Sequence, residues 1–106
     1  MTHMPNTTEG VLLACLAHGE HDGHRLLTQY RRRAGREMPI GSFYVTLDRM
    51  EQRGLVRSRM EDEAMGFGGK RRKCFTITSD GMRALDALSL ALVGNRWRFA
   101  EAGGEQ

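Results

Sequence analysis

The chain has 106 residues, a formal net charge of +3 and two cysteines, a length that allows one small domain with one further element appended to it. The mildly basic balance agrees with a polyanionic partner without demanding one, and Cys15 and Cys74 lie too far apart in apolar settings to suggest a disulfide framework, reading instead as reduced, buried thiols. The longest apolar stretches, Val11 to Ala17 and Ala87 to Val93, fall well short of the roughly 20 residues a membrane-spanning helix needs, and Glu9 stands where a signal peptide would carry positive charge, so the chain is expected in the cytoplasm.

Residues 1 to 6 read as a loose leader. Asn6 and Glu9 have the spacing of a capping box, and the nearly all-apolar run Val11 to Ala17 suits a short central helix that Gly19 ends. Asp22 is a good N-cap for a second helix. In it Leu26, Leu27, Tyr30 and Ala34 recur at helical spacing, and Gly35 sits where a C-terminal glycine belongs. The outer face of this helix carries Arg25, Arg31, Arg32 and Arg33, with Arg36 just beyond. Such a face is either a solvated charged surface with cations near the helix end or a set of contacts to DNA phosphates.

Pro39 marks the next boundary. From Ile40 to about Arg53 the apolar residues Phe43, Leu47 and Met50 fall along one side, Tyr44 flanks them, and Ser42, Val45, Thr46, Arg49 and Arg53 share the other. Two helices joined by a short turn match a helix-turn-helix, and the small, hydroxylated and guanidinium side chains of the second suit a major groove. Beyond Gly54 the period changes to two: Val56, Ser58 and Met60 alternate with Arg57, Arg59 and Glu61, and later Phe75 and Ile77 alternate with Cys74 and Thr76. Gly66, Gly68 and Gly69 permit a turn between these strands, and Lys70, Arg71, Arg72 and Lys73 stand on the returning arm. A basic hairpin after a helix-turn-helix reads as a wing.

Thr78 or Ser79 caps a last helix that begins near Asp80 and runs to about Trp97, with a frayed tail from Ala100. Leu85, Leu88 and Leu92 form one stripe and Leu90, Val93 and Trp97 an adjacent one. The combined apolar arc is roughly 200° wide, more than one supporting domain covers, which favours pairing with a second copy. The expected architecture is thus mainly α with a small β-hairpin. A winged helix-turn-helix spans 1–78 (recognition helix about 40–53, wing about 55–77), followed by a dimerisation helix and tail over 79–106.

From Val11 to Trp97 the chain resembles the PadR-like winged-helix transcriptional regulators. The resemblance is carried by Gly41 to Tyr44, by Leu47 to Glu51 with Gly54 to Val56, and by Gly69 to Lys73 followed by Phe75 to Thr78 and Gly81. The chain departs from the family pattern where Gly23-His24 replaces Gly-Tyr, where Cys74 replaces the first of two aromatics, and in its short C-terminal helix, which is similar to the compact branch. The resemblance implies a homodimer held by the last helix and repression of nearby genes through operator binding.

In that setting Ser42, Val45, Thr46 and Arg49 are the expected base readers. Tyr44, Arg53, Arg31, Arg32, Lys70, Arg71 and Arg72 are the expected phosphate contacts, Tyr44 having an alternative as a core-edge residue. Glu51, on the buried side, is expected to bond internally. The dimer interface would use Leu85, Leu88, Leu92, Val93 and Trp97, and Trp97 either anchors that interface or lines a cavity for a flat aromatic ligand. No cofactor is called for. Cys15, His18, His21 and His24 recur every third residue and are competent zinc ligands, but Gly19 and Gly23 interrupt a continuous face. No catalytic motif is present, so an enzyme is not expected. The remaining alternative is a winged helix that serves as a protein-interaction module.

Overall fold

A computed structural model of the chain describes residues 5–62 and 71–104, with side chains for 5–61 and 72–91. Helix α1 (Thr7–Leu16) starts on a reciprocal cap: Glu9 N donates to Asn6 Oδ1 at 2.8 Å and Asn6 N to Glu9 Oε1 at 3.1 Å. Leu12, Leu13, Cys15 and Leu16 are all buried, as a helix at the centre of the domain requires. Burial pushes the Cys15 thiol above its ordinary pKa.

Strand β1 (His21–Asp22) leads into α2 (Gly23–Ala34), which Asp22 caps through Arg25 N at 2.9 Å and Gly35 ends in the left-handed conformation. Helix α3 (Ile40–Gln52) buries Phe43, Leu47 and Met50. Gly54, at φ 78, then turns the chain into β2 (Val56–Asp62), which pairs antiparallel with β3 (Arg71–Ile77) from Val56↔Ile77 to Asp62↔Arg71. The turn residues 63–70, with Gly66, Gly68, Gly69 and Lys70, lie outside the described residues.

The sheet has three strands in the order β1-β3-β2, because β1 pairs with β3 through His21↔Phe75 and Asp22↔Cys74. The hairpin read from sequence thus gains a third strand. Two polar residues carry no period-2 signal, and β1 exists only because β3 supplies its partner. On the core face Val56 and Phe75 are buried. On the other face Arg59 donates from Nε to Glu20 Oε2 at 2.7 Å and from Nη2 to Glu20 Oε1 at 2.6 Å. That bond holds the Glu20 carboxyl below the ordinary range. Cys74 is buried beside this pair, and burial, with the Glu61 and Glu20 carboxylates near, pushes its thiol up.

Helix α4 (Ser79–Gly104) is fastened by one joint. Thr78 Oγ1 donates to Gly54 O and accepts from Gly81 N at 3.0 Å, while Thr78 N donates to Leu55 O at 3.1 Å. The Gly54-Leu55 and Thr78-x-x-Gly81 motifs are two halves of the same contact. The helix continues past the expected frayed tail at Ala100 to Gly104, in keeping with the strong helix formers Arg98, Ala100, Glu101 and Ala102. Among the described residues no helix is long and apolar enough to cross a membrane.

Candidate nucleic-acid interface

With Phe43, Leu47 and Met50 buried, α3 turns a continuous exposed strip outward. At about 100° per residue the line opposite the buried stripe passes through Val45 and Gln52, with Asp48 to one side and Arg49 and Ser42 to the other. Val45 is 52% exposed, and Ser42, Asp48, Arg49 and Gln52 are exposed as well. Thr46 lies farther round and is half-buried, and its hydroxyl donates back to Ser42 O at 2.8 Å. Four expected base readers therefore share α3, with Thr46 at the margin of the strip. Gln52 at its centre and Asp48 beside it were readable from the same helical period, but neither is a cationic or hydroxylated side chain of the kind expected at DNA.

Tyr44 is wedged at the edge of this strip. Its ring meets Phe43 edge-on at 5.0 Å and lies 6.5 Å from Phe75. Its hydroxyl lies against the first residue of α2, where a Cβ on Gly23 would stand 2.3 Å away. The packed ring is what the core-edge reading of Tyr44 expects. The tip opens on a cleft lined by Asp22, Gly23, His24, Arg25, Arg72 and Lys73. Gly23→Ala is expected to cost about 1–3 kcal/mol by forcing the ring aside. Tyr44→Phe, which removes the nearest atom, should recover part of that loss. A double-mutant cycle in urea denaturation measures the recovery, and strictly additive losses would disprove the contact.

Lys73 lies between α2 and α3. It lines the Tyr44 cleft and a neighbouring one of about 500 Å³ shared with Val45, Asp48, Arg49 and Gln52, and its ammonium sits 5.8 Å from the Phe75 ring centre. Sequence reasoning named the Lys70 to Lys73 block but left Lys73 out of the phosphate contacts. Lys73 follows Phe75 toward α3, whereas Arg72, on the alternate face of β3, reaches only the Tyr44 cleft. Arg72 also reaches Asp22 Oδ2 at 3.5 Å. The side chain of Arg71, like Lys70, lies outside the described residues.

Other cations have internal engagements. Arg53, expected at a phosphate, is turned inward: its Nη1 reaches Glu9 Oε1 at 3.0 Å and Oε2 at 2.9 Å, and Glu9 is only 6% exposed. A buried carboxylate needs a cation, and this need outweighs solvation of the guanidinium; the phosphate assignment of Arg53 gives way to a structural one. Arg31 pairs with Glu37 at 3.0 Å on the surface, a bond weak enough for another anion to replace. Arg32 is exposed. Arg36 donates to Tyr30 Oη and Thr8 Oγ1, each at 3.2 Å. Glu51, as expected, bonds internally, accepting from Ser58 N at 3.0 Å and from its hydroxyl.

The helix assigned to dimerisation is partly used within the chain. Leu85 packs against the core, and Leu88 Cδ2 sits 2.6 Å from where a Gly10 Cβ would be, so α4 rides closely on α1. These two leucines face inward because α1 is apolar nearly all round. Among the described side chains of α4, Leu90, 72% exposed, and Met82, 38% exposed, are the large apolar ones left open. The side chains of Leu92, Val93 and Trp97 lie outside the described residues. The histidine repeat is dispersed: Cys15 is buried, while His18 and His24 are exposed. Among the described residues no three His, Cys, Asp or Glu side chains gather as a metal site.

The transcriptional regulator PadR-like family model matches residues 12–87. Among solved structures, a PadR family transcription regulator of Clostridium difficile is 25% identical with a TM-score of 0.68, over 92% of this chain and 93% of that one. A PadR-like transcriptional regulator of Bacillus cereus is 25% identical with a TM-score of 0.67, over 90% and 91%. PadR of Bacillus subtilis in complex with operator DNA shares the fold, with a TM-score of 0.67 at 18% identity over 78% of this chain and 46% of that one. Among curated proteins none matches.

Proposed function

The chain belongs to the transcriptional regulator PadR-like family, and on that premise we propose that it is a sequence-specific DNA-binding regulator that represses its target genes as a homodimer. Residues 1–78 act as the DNA-binding unit and 79–106 as the dimerisation element. The observation that carries this reading is the exposed strip of α3, held by a buried stripe on its other side and bordered by Lys73. The Bacillus subtilis relative was solved on operator DNA, and the shared fold supports the same class of partner here.

In this reading Ser42, Val45 and Arg49 read base edges, with Arg49 bidentate to a guanine. Lys73, Arg72, Arg32 and the Tyr44 hydroxyl hold the backbone. Dimerisation through the apolar face of α4 that includes Leu90 sets two α3 helices roughly 34–36 Å apart, one turn of DNA, and so selects an inverted repeat. Binding should weaken with salt, log K falling by roughly 0.9 per phosphate neutralised for each unit of log salt.

The test compares two variants by fluorescence anisotropy on a duplex enriched from random DNA and on a scrambled one. Arg49→Ala is expected to lose about 1–3 kcal/mol of discrimination at one base position. Lys73→Ala is expected to weaken both duplexes alike and to lower the salt slope by about one. Equal losses for both variants on both duplexes would overturn the division of roles. A selection in which the protein enriches no sequence would instead favour a protein-interaction module.

A further inference from the structure

Asp48 is an acidic residue on the outward strip of α3, beside Val45, Arg49 and Gln52. Gln52 Nε2 donates to its Oδ2 at 3.1 Å. No ion pair to Asp48 is present among the described residues. An exposed carboxylate on a surface that meets DNA works against phosphate binding, since like charges repel. It gains only where a base presents a donor.

We propose that Asp48 is a specificity-determining residue that accepts the exocyclic amino group of a cytosine, with Gln52 holding its carboxylate in position. The inference rests on the DNA-binding reading above. In the major groove only cytosine N4 and adenine N6 donate, while guanine N7 and O6 and thymine O4 are acceptors that a carboxylate repels. Adenine carries the acceptor N7 beside its amino group, and an ionised Asp is acceptor-only, so adenine is disfavoured too. Cytosine has no acceptor on that edge. With Oδ2 accepting from Gln52, Oδ1 is the oxygen left to face the groove, where cytosine N4 offers it a donor with no acceptor alongside.

The experiment is parallel selection from one random-duplex library with wild type, Asp48→Asn and Asp48→Ala, followed by affinities on duplexes carrying each base pair at the affected position. Both side chains are exposed, so the substitutions leave the core intact. Wild type is expected to require a C·G pair in each half-site. Asp48→Asn should redirect that position toward adenine, whose N6 and N7 an amide satisfies together. Asp48→Ala should lose the preference, with discrimination there falling about tenfold. Gln52→Ala should blunt the preference for cytosine without redirecting it.

If all three proteins enrich the same sequence and the variants only bind every duplex more tightly, the carboxylate is a general repulsive charge and the proposal is overturned. If wild type enriches a motif whose affected positions carry no C·G requirement, the proposal falls while the DNA-binding reading stands. If wild type enriches nothing, both fall.

Discussion

Gly81→Ala is expected to cost about 3 kcal/mol or more, at the upper end of what one overpacked methyl group does to a core. A Cβ at this position would stand 2.1 Å from Leu55 O and 2.7 Å from Ile77 Cγ1. The carbonyl is backbone and cannot swing aside. It also accepts the Thr78 amide at 3.1 Å, so drawing it away breaks the joint that fastens α4 to the start of β2. For a domain of this size the loss corresponds to a fall in melting temperature of roughly 12–24 °C at 4–8 °C per kcal/mol, measurable by circular dichroism. Gly10→Ala is the control: its Cβ would meet Leu88 Cδ2 at 2.6 Å, the far end of a flexible side chain that can rotate, so the damage should be smaller. If Gly81→Ala melts within a few degrees of wild type, the joint is looser than the geometry implies.

Arg53→Ala is expected to destabilise the domain by about 3 kcal/mol, because it leaves the Glu9 carboxylate buried without its cation. Replacing both partners by apolar residues, Glu9→Leu with Arg53→Met, should recover part of that loss, since the unpaired buried carboxylate is gone while the Asn6 amide loses its Glu9 acceptor. Urea denaturation of the two single variants and the double variant measures the difference. The double variant also decides between the two roles considered for Arg53. A phosphate ligand removed would lower the salt slope of DNA binding by about one; an internal tie replaced by packing leaves the slope unchanged, which is the result expected here.

Much of the fold was legible because its signals are local. The Asn6–Glu9 box, the Asp22 cap, the left-handed Gly35 and the buried Phe43, Leu47 and Met50 all follow from spacings of a few residues. What was not legible is long-range. Strand β1 is too short to have a pattern and is defined by a partner 54 residues away, His21 on Phe75. Glu9 and Arg53, 44 residues apart, are each an ordinary surface residue until α1 and α3 pack. Lys73 and Arg72 fall on opposite faces by the period of two alone, Lys73 with Phe75 and Arg72 with Cys74, but which face meets α3 depends on how the sheet packs. The inward turn of Leu85 and Leu88 depends on α1 having apolar surface to spare, which no property of α4 itself reveals.

Consecutive residues of α1 hold two elements that the proposed function keeps apart. Glu9 grips Arg53 at the end of α3, and Gly10 seats Leu88 of α4. In a dimer built on α4, the first turn of α1 therefore acts as the fulcrum between the coupling rod and the reading head. In the proposed dimer a shift of α4 at Gly10 would reach α3 through two side-chain contacts, Leu88 on Gly10 and Arg53 on Glu9, rather than through a loop. If the proposed dimer forms, the spacing of its two α3 helices would depend on these two contacts, so substitutions there would change the half-site spacing accepted without touching the proposed base readers.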